Sequence, residues 1–314
     1  MRPLTFTLFY LVWLAALVAL RFLLPFWLDA ERATVVKNDV RESVMAVPPK
    51  PLGVDDGALN PAGAGSGGHG RLTEAVCANM ASGVRDVCWQ ALARQGAVRD
   101  PEGALQICDR AVDVELRHEC HADIAETLAP ANRSRAEAIC GAIPTLKWRG
   151  QCHFGIGLSL AETDAQYAMG RCDHAEAFLR FCRHDVVGEV ALADRDLAVT
   201  ICAEEVGDKL TRSTCWHGIG KYLARRDVAE ARAACEVATE SWRDNCFHGL
   251  GWGAAERDAD TTLVACGTMG AYADSCRQGV AHQLKRSDPE RAIALCASIS
   301  TATIRERCLG FVRR

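Results

Sequence analysis

The residues with the most chemical reach in this chain are its cysteines and the histidines that follow some of them. All sixteen cysteines lie between Cys77 and Cys308. A histidine stands two places after several of them, as in Cys182-Arg183-His184, Cys215-Trp216-His217 and Cys246-Phe247-His248. Thiolates and imidazoles can bind zinc, attach haem, exchange disulfides or activate a nucleophile. Each of these chemistries needs its own spacing. No Cys-x-x-Cys occurs, so neither a zinc ribbon nor a Cys-x-x-Cys-His haem attachment is supported. No Ser/His/Asp set is recognisable, and no paired carboxylates stand out. Disulfide formation and a row of imidazoles remain.

The cysteine positions show what must hold them. They are Cys77, Cys88, Cys108, Cys120, Cys140, Cys152, Cys172, Cys182, Cys202, Cys215, Cys235, Cys246, Cys266, Cys276, Cys296 and Cys308. Intervals of 10 to 13 residues alternate with intervals of 20. The chain therefore holds eight copies of a unit 30 to 33 residues long, each with a first cysteine, A, and a second, B. Eight places before A stand Asp100, Asn132, Asp164, Asp194, Asp227, Asp258 and Asp288, with His69 in the first unit. Asp and Asn accept hydrogen bonds from free N–H groups at a helix start, so this column predicts N-caps. Four places before A, Ala104, Ala136, Ala168, Ala198, Ala231 and Ala292 put Ala and Cys on one helix face. Four places after B stand Leu92, Ile124, Ile156, Val186, Ile219, Leu250, Val280 and Val312, the start of an aliphatic stripe on a second helix.

Each unit is thus a helical hairpin, and short links make neighbours antiparallel. One hairpin cannot bury its apolar stripe alone, whereas a stack can. The expected fold is all-α: an α-solenoid of about eight helical hairpins over residues 72–314. The two-helix unit, the Ala of the first helix and small residues in the second ("GIGKYLARRD", "GLGWGAAERD") resemble the tetratricopeptide and Sel1-like repeat superfamily. Secreted cysteine-rich members of the Sel1-like group are similar in joining paired helices by disulfides. This chain departs from them in its shorter unit and wider cysteine spacing, and the resemblance carries over no functional residue.

Two disulfide schemes fit the spacing. A can pair with B inside each unit, or B with the next A across the constant interval. The second leaves Cys77 and Cys308 unpaired at opposite ends of the stack, while the first leaves no orphan. The first also lets the turn change length under a constant bridge, and is the scheme expected here.

His184, His217 and His248, with Gln278 at the corresponding place of another unit, point away from the aliphatic stripe. They read as a polar row on the exposed ridge of the second helices and as a candidate binding surface. His118, His121 and His153 also lie near B cysteines. Hairpins about 10 Å apart would keep one metal, with ligand bonds near 2 Å, from bridging successive rungs. No metal or other cofactor is expected. Arg85, Arg117, Arg149, Arg212, Arg243 and Arg305, three places before B, suit the free carbonyls at the end of the first helix. Gly155, Gly218, Gly249 and Gly279, three places after B, predict close approach of a neighbouring helix. Trp216 and Phe247 read as groove packing.

The N-terminus indicates a compartment. Leu4–Leu20 is apolar enough to span a bilayer and is followed by Arg21, Phe26 and Trp27. Residues 1–30 read as a membrane anchor, with a cleaved signal peptide as the rival reading. Residues 31–71, rich in Pro, Gly and Ala, read as a flexible linker. Sixteen cysteines then fit an oxidising space outside the cytoplasm, periplasmic or at the cell surface. A net charge of −4 offers no basic footprint for nucleic acid. The expected function is a non-catalytic, membrane-anchored scaffold that binds a protein or other envelope ligand. Alternatives are a metal- or haem-handling envelope protein using the histidines, or a redox enzyme or hydrolase of a cysteine-rich repeat family.

Overall fold

A computed structural model describes residues 72–205 and 208–313. The expected anchor and linker lie outside the described residues. Among the described residues no helix is long and apolar enough to cross a membrane. Gly70–Arg314 forms one compact unit.

The described residues form sixteen α-helices in eight hairpins. In the first four, α1 (Glu74–Ala78) pairs with α2 (Ser82–Gly96), α3 (Pro101–Cys108) with α4 (Val114–Leu128), α5 (Arg133–Ala142) with α6 (Leu146–Leu160), and α7 (Ala165–Cys172) with α8 (Leu179–Ala193). In the last four, α9 (Arg195–Glu204) pairs with α10 (Lys209–Arg226), α11 (Val228–Val237) with α12 (Glu240–Ala255), α13 (Ala259–Gly267) with α14 (Ala273–Leu284), and α15 (Pro289–Ala297) with α16 (Ala302–Val312).

The cap column explains where the first helices begin. Asp100, Asn132, Asp164, Asp194, Asp227, Asp258 and Asp288 each accept a hydrogen bond from a first-turn N–H. In the first hairpin Thr73 serves instead, accepting from the Val76 N–H. Four arginines of the column close the other end of these helices. Arg85, Arg117 and Arg243 each donate twice, from Nε and Nη2, to the carbonyl three places after A: Met80, Ala111 and Ala238, at 2.8–3.2 Å. Arg305 donates to the equivalent Ile299 carbonyl. The fourth and seventh hairpins have the shortest cysteine interval and no arginine in this column. A turn of 3₁₀ helix fills that space, and the N–H groups of Phe178 and Tyr272 bond the same carbonyl, of Ala175 and Met269. One orphan carbonyl is therefore satisfied in two ways, according to turn length.

All sixteen cysteines are paired within hairpins: Cys77–Cys88, Cys108–Cys120, Cys140–Cys152, Cys172–Cys182, Cys202–Cys215, Cys235–Cys246, Cys266–Cys276 and Cys296–Cys308. Their Cα–Cα separations, 5.3–5.7 Å, suit the bond. The core runs along these bridges. The alanine column is buried, and so is the aliphatic column from Ile124 to Val312; Leu92, near the first end, is only partly covered. Trp216 and Phe247 are buried, the latter stacked on Tyr272 with centroids 4.8 Å apart.

Each second helix packs on the second helix before and after it, so α2, α4, α6, α8, α10, α12, α14 and α16 form a continuous row. The backbones of the first helices stand further apart, and side-chain ion pairs such as Arg135–Glu102, Arg171–Glu137 and Arg291–Asp260 join them. A further column fastens neighbours: Asp86 and Asp274, two places before B, accept from the following hairpin. Asp86 takes the Val112 and Asp113 N–H groups, and Asp274 the N–H and hydroxyl of Thr301.

Candidate functional site

The polar row lies where α8, α10, α12 and α14 pack closest, and glycine makes that packing possible. A Cβ on Gly218 would stand 2.2 Å from the His184 carbonyl oxygen; on Gly249, 2.1 Å from that of His217; on Gly279, 2.0 Å from that of His248. Each glycine thus receives the backbone of the preceding rung. Gly220, Gly251 and Gly253 are as tightly engaged, against the carbonyls of Cys246, Cys276 and Lys221. The helices come much nearer than an average helix pair, whose axes lie 8–10 Å apart with side chains between them.

This corrects the expectation of an exposed ridge with separated rungs. His184 (α8), His217 (α10) and His248 (α12) are partly buried and in contact. Ring centroids lie 5.0 Å apart for His184–His217 and 4.9 Å for His217–His248. The fourth rung is His282 (α14), 4.7 Å from His248. Gln278 is buried, 6% exposed, and does not stand at a surface. His282 occupies the place six after its B cysteine, one turn beyond the column followed in the sequence. Lys221 and Trp252 share that second column. The signal for His282 was therefore present, in the face-sharing of positions four apart.

Two imidazole–imidazole hydrogen bonds link the row. His184 Nε2 lies 2.8 Å from His217 Nδ1, and His248 Nε2 lies 2.9 Å from His282 Nδ1. His184 Nδ1 is 2.5 Å from Asp185 Oδ1. A carboxylate only accepts, so that nitrogen carries the proton. In the neutral ring Nε2 is then the acceptor, and His217 Nδ1–H donates to it. Gly188 leaves room for the Tyr222 ring, whose hydroxyl also bonds Asp185. The far end is apolar, with the His282 ring 4.0 Å from that of Phe311 on α16. Trp252 lies nearly perpendicular to His217, His248 and His282 and carries Lys221 Nζ 5.1 Å from its own centroid.

Burial sets the charge states. It holds His217 well below its usual range, aided by the neighbouring His248, His184 and Lys221. Burial does the same to His248, aided by His282, Arg307 and Lys221. His282 is lowered to about 3, by burial and then by Lys285 and Arg307. Lys221 is also lowered, by burial and by Arg225. Burial alone would raise Asp185, but His184, Lys221 and the Tyr222 hydroxyl outweigh it and hold the carboxyl below its usual range. His217, His248 and His282 are thus held neutral, with the Asp185 carboxylate at one end of the row and Lys285 and Arg307 beside the other.

The other histidines lie outside this row. His118 is buried, with Nδ1 3.4 Å from the Thr145 hydroxyl. His121 stands beside Asp109, and His153 beside His174, with the pair's centroids 5.2 Å apart. Among the described residues no three His, Cys, Asp or Glu side chains are grouped to hold a metal ion. The row can share and exchange protons between its rings.

No family model matches the chain, and neither a curated protein nor a solved structure matches it.

Proposed function

We propose that the chain is a membrane-tethered, extracytoplasmic scaffold of the tetratricopeptide/Sel1-like kind, which works by binding a partner protein rather than by catalysis. The observation that carries this reading is the closure of every hairpin by its own disulfide. Eight disulfides fit an oxidising compartment outside the cytoplasm. They also leave no free thiol for redox or nucleophilic work among the described residues. Stacked hairpins present long surfaces made of equivalent positions, the usual means by which helical repeats bind. The apolar N-terminal segment supports attachment to a membrane, and the Pro/Gly/Ala-rich stretch supports a tether of roughly 30 Å reach. The metal-handling alternative draws on the two imidazole pairs but lacks a third ligand among the described residues.

The test is photo-crosslinking in cells from exposed positions on several hairpins of the full chain. The expected result is one discrete adduct, formed from neighbouring positions on one face and lost when export is blocked. A folded, exported chain that gives no discrete adduct from any hairpin would overturn the reading.

A further inference from the structure

We propose that the histidine row across α8, α10, α12 and α14 is an acid-operated latch: neutral rings let these four helices pack closely, and protonation parts them, beginning between α12 and α14. The first support is a proton count. At 2.8 and 2.9 Å, each imidazole pair needs one N–H and one lone pair on its facing nitrogens. A doubly protonated pair has two facing N–H groups and no acceptor. Each pair therefore holds at most one extra proton while closed. The rings cannot draw apart inside a closed stack, because Gly218, Gly249 and Gly279 pin the backbones of successive rungs together.

The surrounding charges decide which end gives way. Around the first pair, α8 offers Asp185 and Glu189, and α10 offers Lys221, Tyr222 and Arg225. Asp185 can accept a charged His184 through the contact it already makes. At the end of α12, Glu256 is already engaged by Arg225 at 2.6 Å and Lys221 at 3.9 Å. The second pair instead faces Arg307 of α16, with Lys285 beside His282. No carboxylate among the described residues is shown to offset a charge on that pair. The α12–α14 contact is therefore where acid acts first.

The direction follows from linkage. These rings are neutral when packed and titrate near the ordinary histidine value when released, so packing is fully favoured above about pH 6.5 and weakens below it. Between pH 7 and pH 5 the opening equilibrium rises about 25-fold for each ring kept neutral in the packed state. Two such rings, His248 and His282, give several hundred-fold.

Hydrogen–deuterium exchange of the oxidised chain at pH 7 and pH 5, corrected for intrinsic rates, tests the latch. Protection in α12 and α14 should fall at pH 5 by a factor of hundreds, while α2 and α4 change little. In His248→Gln/His282→Gln, with its fold checked at pH 7, the acid-induced loss should disappear. In the unaltered chain the opening should steepen below about pH 5.5 towards a factor of about 100 per pH unit, the mark of two protons taken up together. Uniform exchange along the stack at both pH values would overturn the proposal. So would an opening that rises by only about tenfold or less per pH unit below about pH 5.5, a result that needs no variant to fold.

Discussion

The substitution Gly249→Ala sets helix propensity against helix packing, and the packing should win. Alanine in a helix interior is favoured over glycine by about 1 kcal/mol. The new Cβ, however, would lie 2.1 Å from the His217 carbonyl oxygen, 3.0 Å from its carbon and 3.1 Å from the Lys221 nitrogen. All three atoms are backbone, so no side chain can rotate out of the way. Ordinary contact begins at 3.4 Å, so α10 and α12 must separate by roughly 1 Å. They cannot pivot instead, because Gly251 and Gly253 are pinned against Cys276 and Lys221. Overpacking of this kind costs about 3 kcal/mol, which leaves a net loss of about 2 kcal/mol after the propensity gain. Gly170→Ala and Gly310→Ala are the controls, since a Cβ at either site meets nothing within 4 Å. They should gain up to about 1 kcal/mol. Urea unfolding of the oxidised proteins, followed by far-ultraviolet circular dichroism, measures all three. If Gly249→Ala raises the midpoint as the controls do, the close-packed row is wrong.

Three further outcomes follow from the same contacts. Replacing Cys266 and Cys276 together by serine should cost about 2–3 kcal/mol, the value of closing so short a loop, seen as a lower urea midpoint. Arg243→Met removes both donors to the Ala238 carbonyl and should cost about 1–2 kcal/mol; Arg243→Lys, a point charge without the planar fork, should restore only part of it. Asp274→Ala leaves the Thr301 N–H and hydroxyl without their acceptor and should cost about 1–3 kcal/mol in thermal unfolding. Asp274 is also held below the usual carboxylate range: burial would raise it, but Thr301 outweighs burial. Its stabilising effect is therefore present above about pH 4 and lost as acid carries it through the lowered value.

Most of the hairpin was legible because local rules repeat eight times. An Asp or Asn at a fixed distance before seven of the eight A cysteines must cap something, and the aliphatic column after B must face something. The pairing within hairpins followed from the two end cysteines, Cys77 and Cys308, which the other scheme orphans. The capping role of Arg85, Arg117, Arg243 and Arg305 was legible, but the 3₁₀ turns that replace it in the fourth and seventh hairpins were not. That choice depends on fitting three residues into the shortest turns. The histidine row was half legible. Its first three rungs share a column, yet their contact depends on the distance between helices. An average spacing near 10 Å put them apart, although Gly218, Gly249 and Gly279, each next to the +2 rung, pointed to closer approach. Gln278 was read as a rung by alignment alone, while His282, one helical turn on, takes that place because side chains four apart share a face.

The most direct measurement is non-reducing peptide mapping of the purified full chain, with thiols blocked before unfolding. Stapling within hairpins predicts eight linked peptide pairs, from Cys77–Cys88 to Cys296–Cys308, and no blocked thiol. Peptides joining Cys88 to Cys108 or Cys120 to Cys140, or one or two reactive thiols, would contradict it.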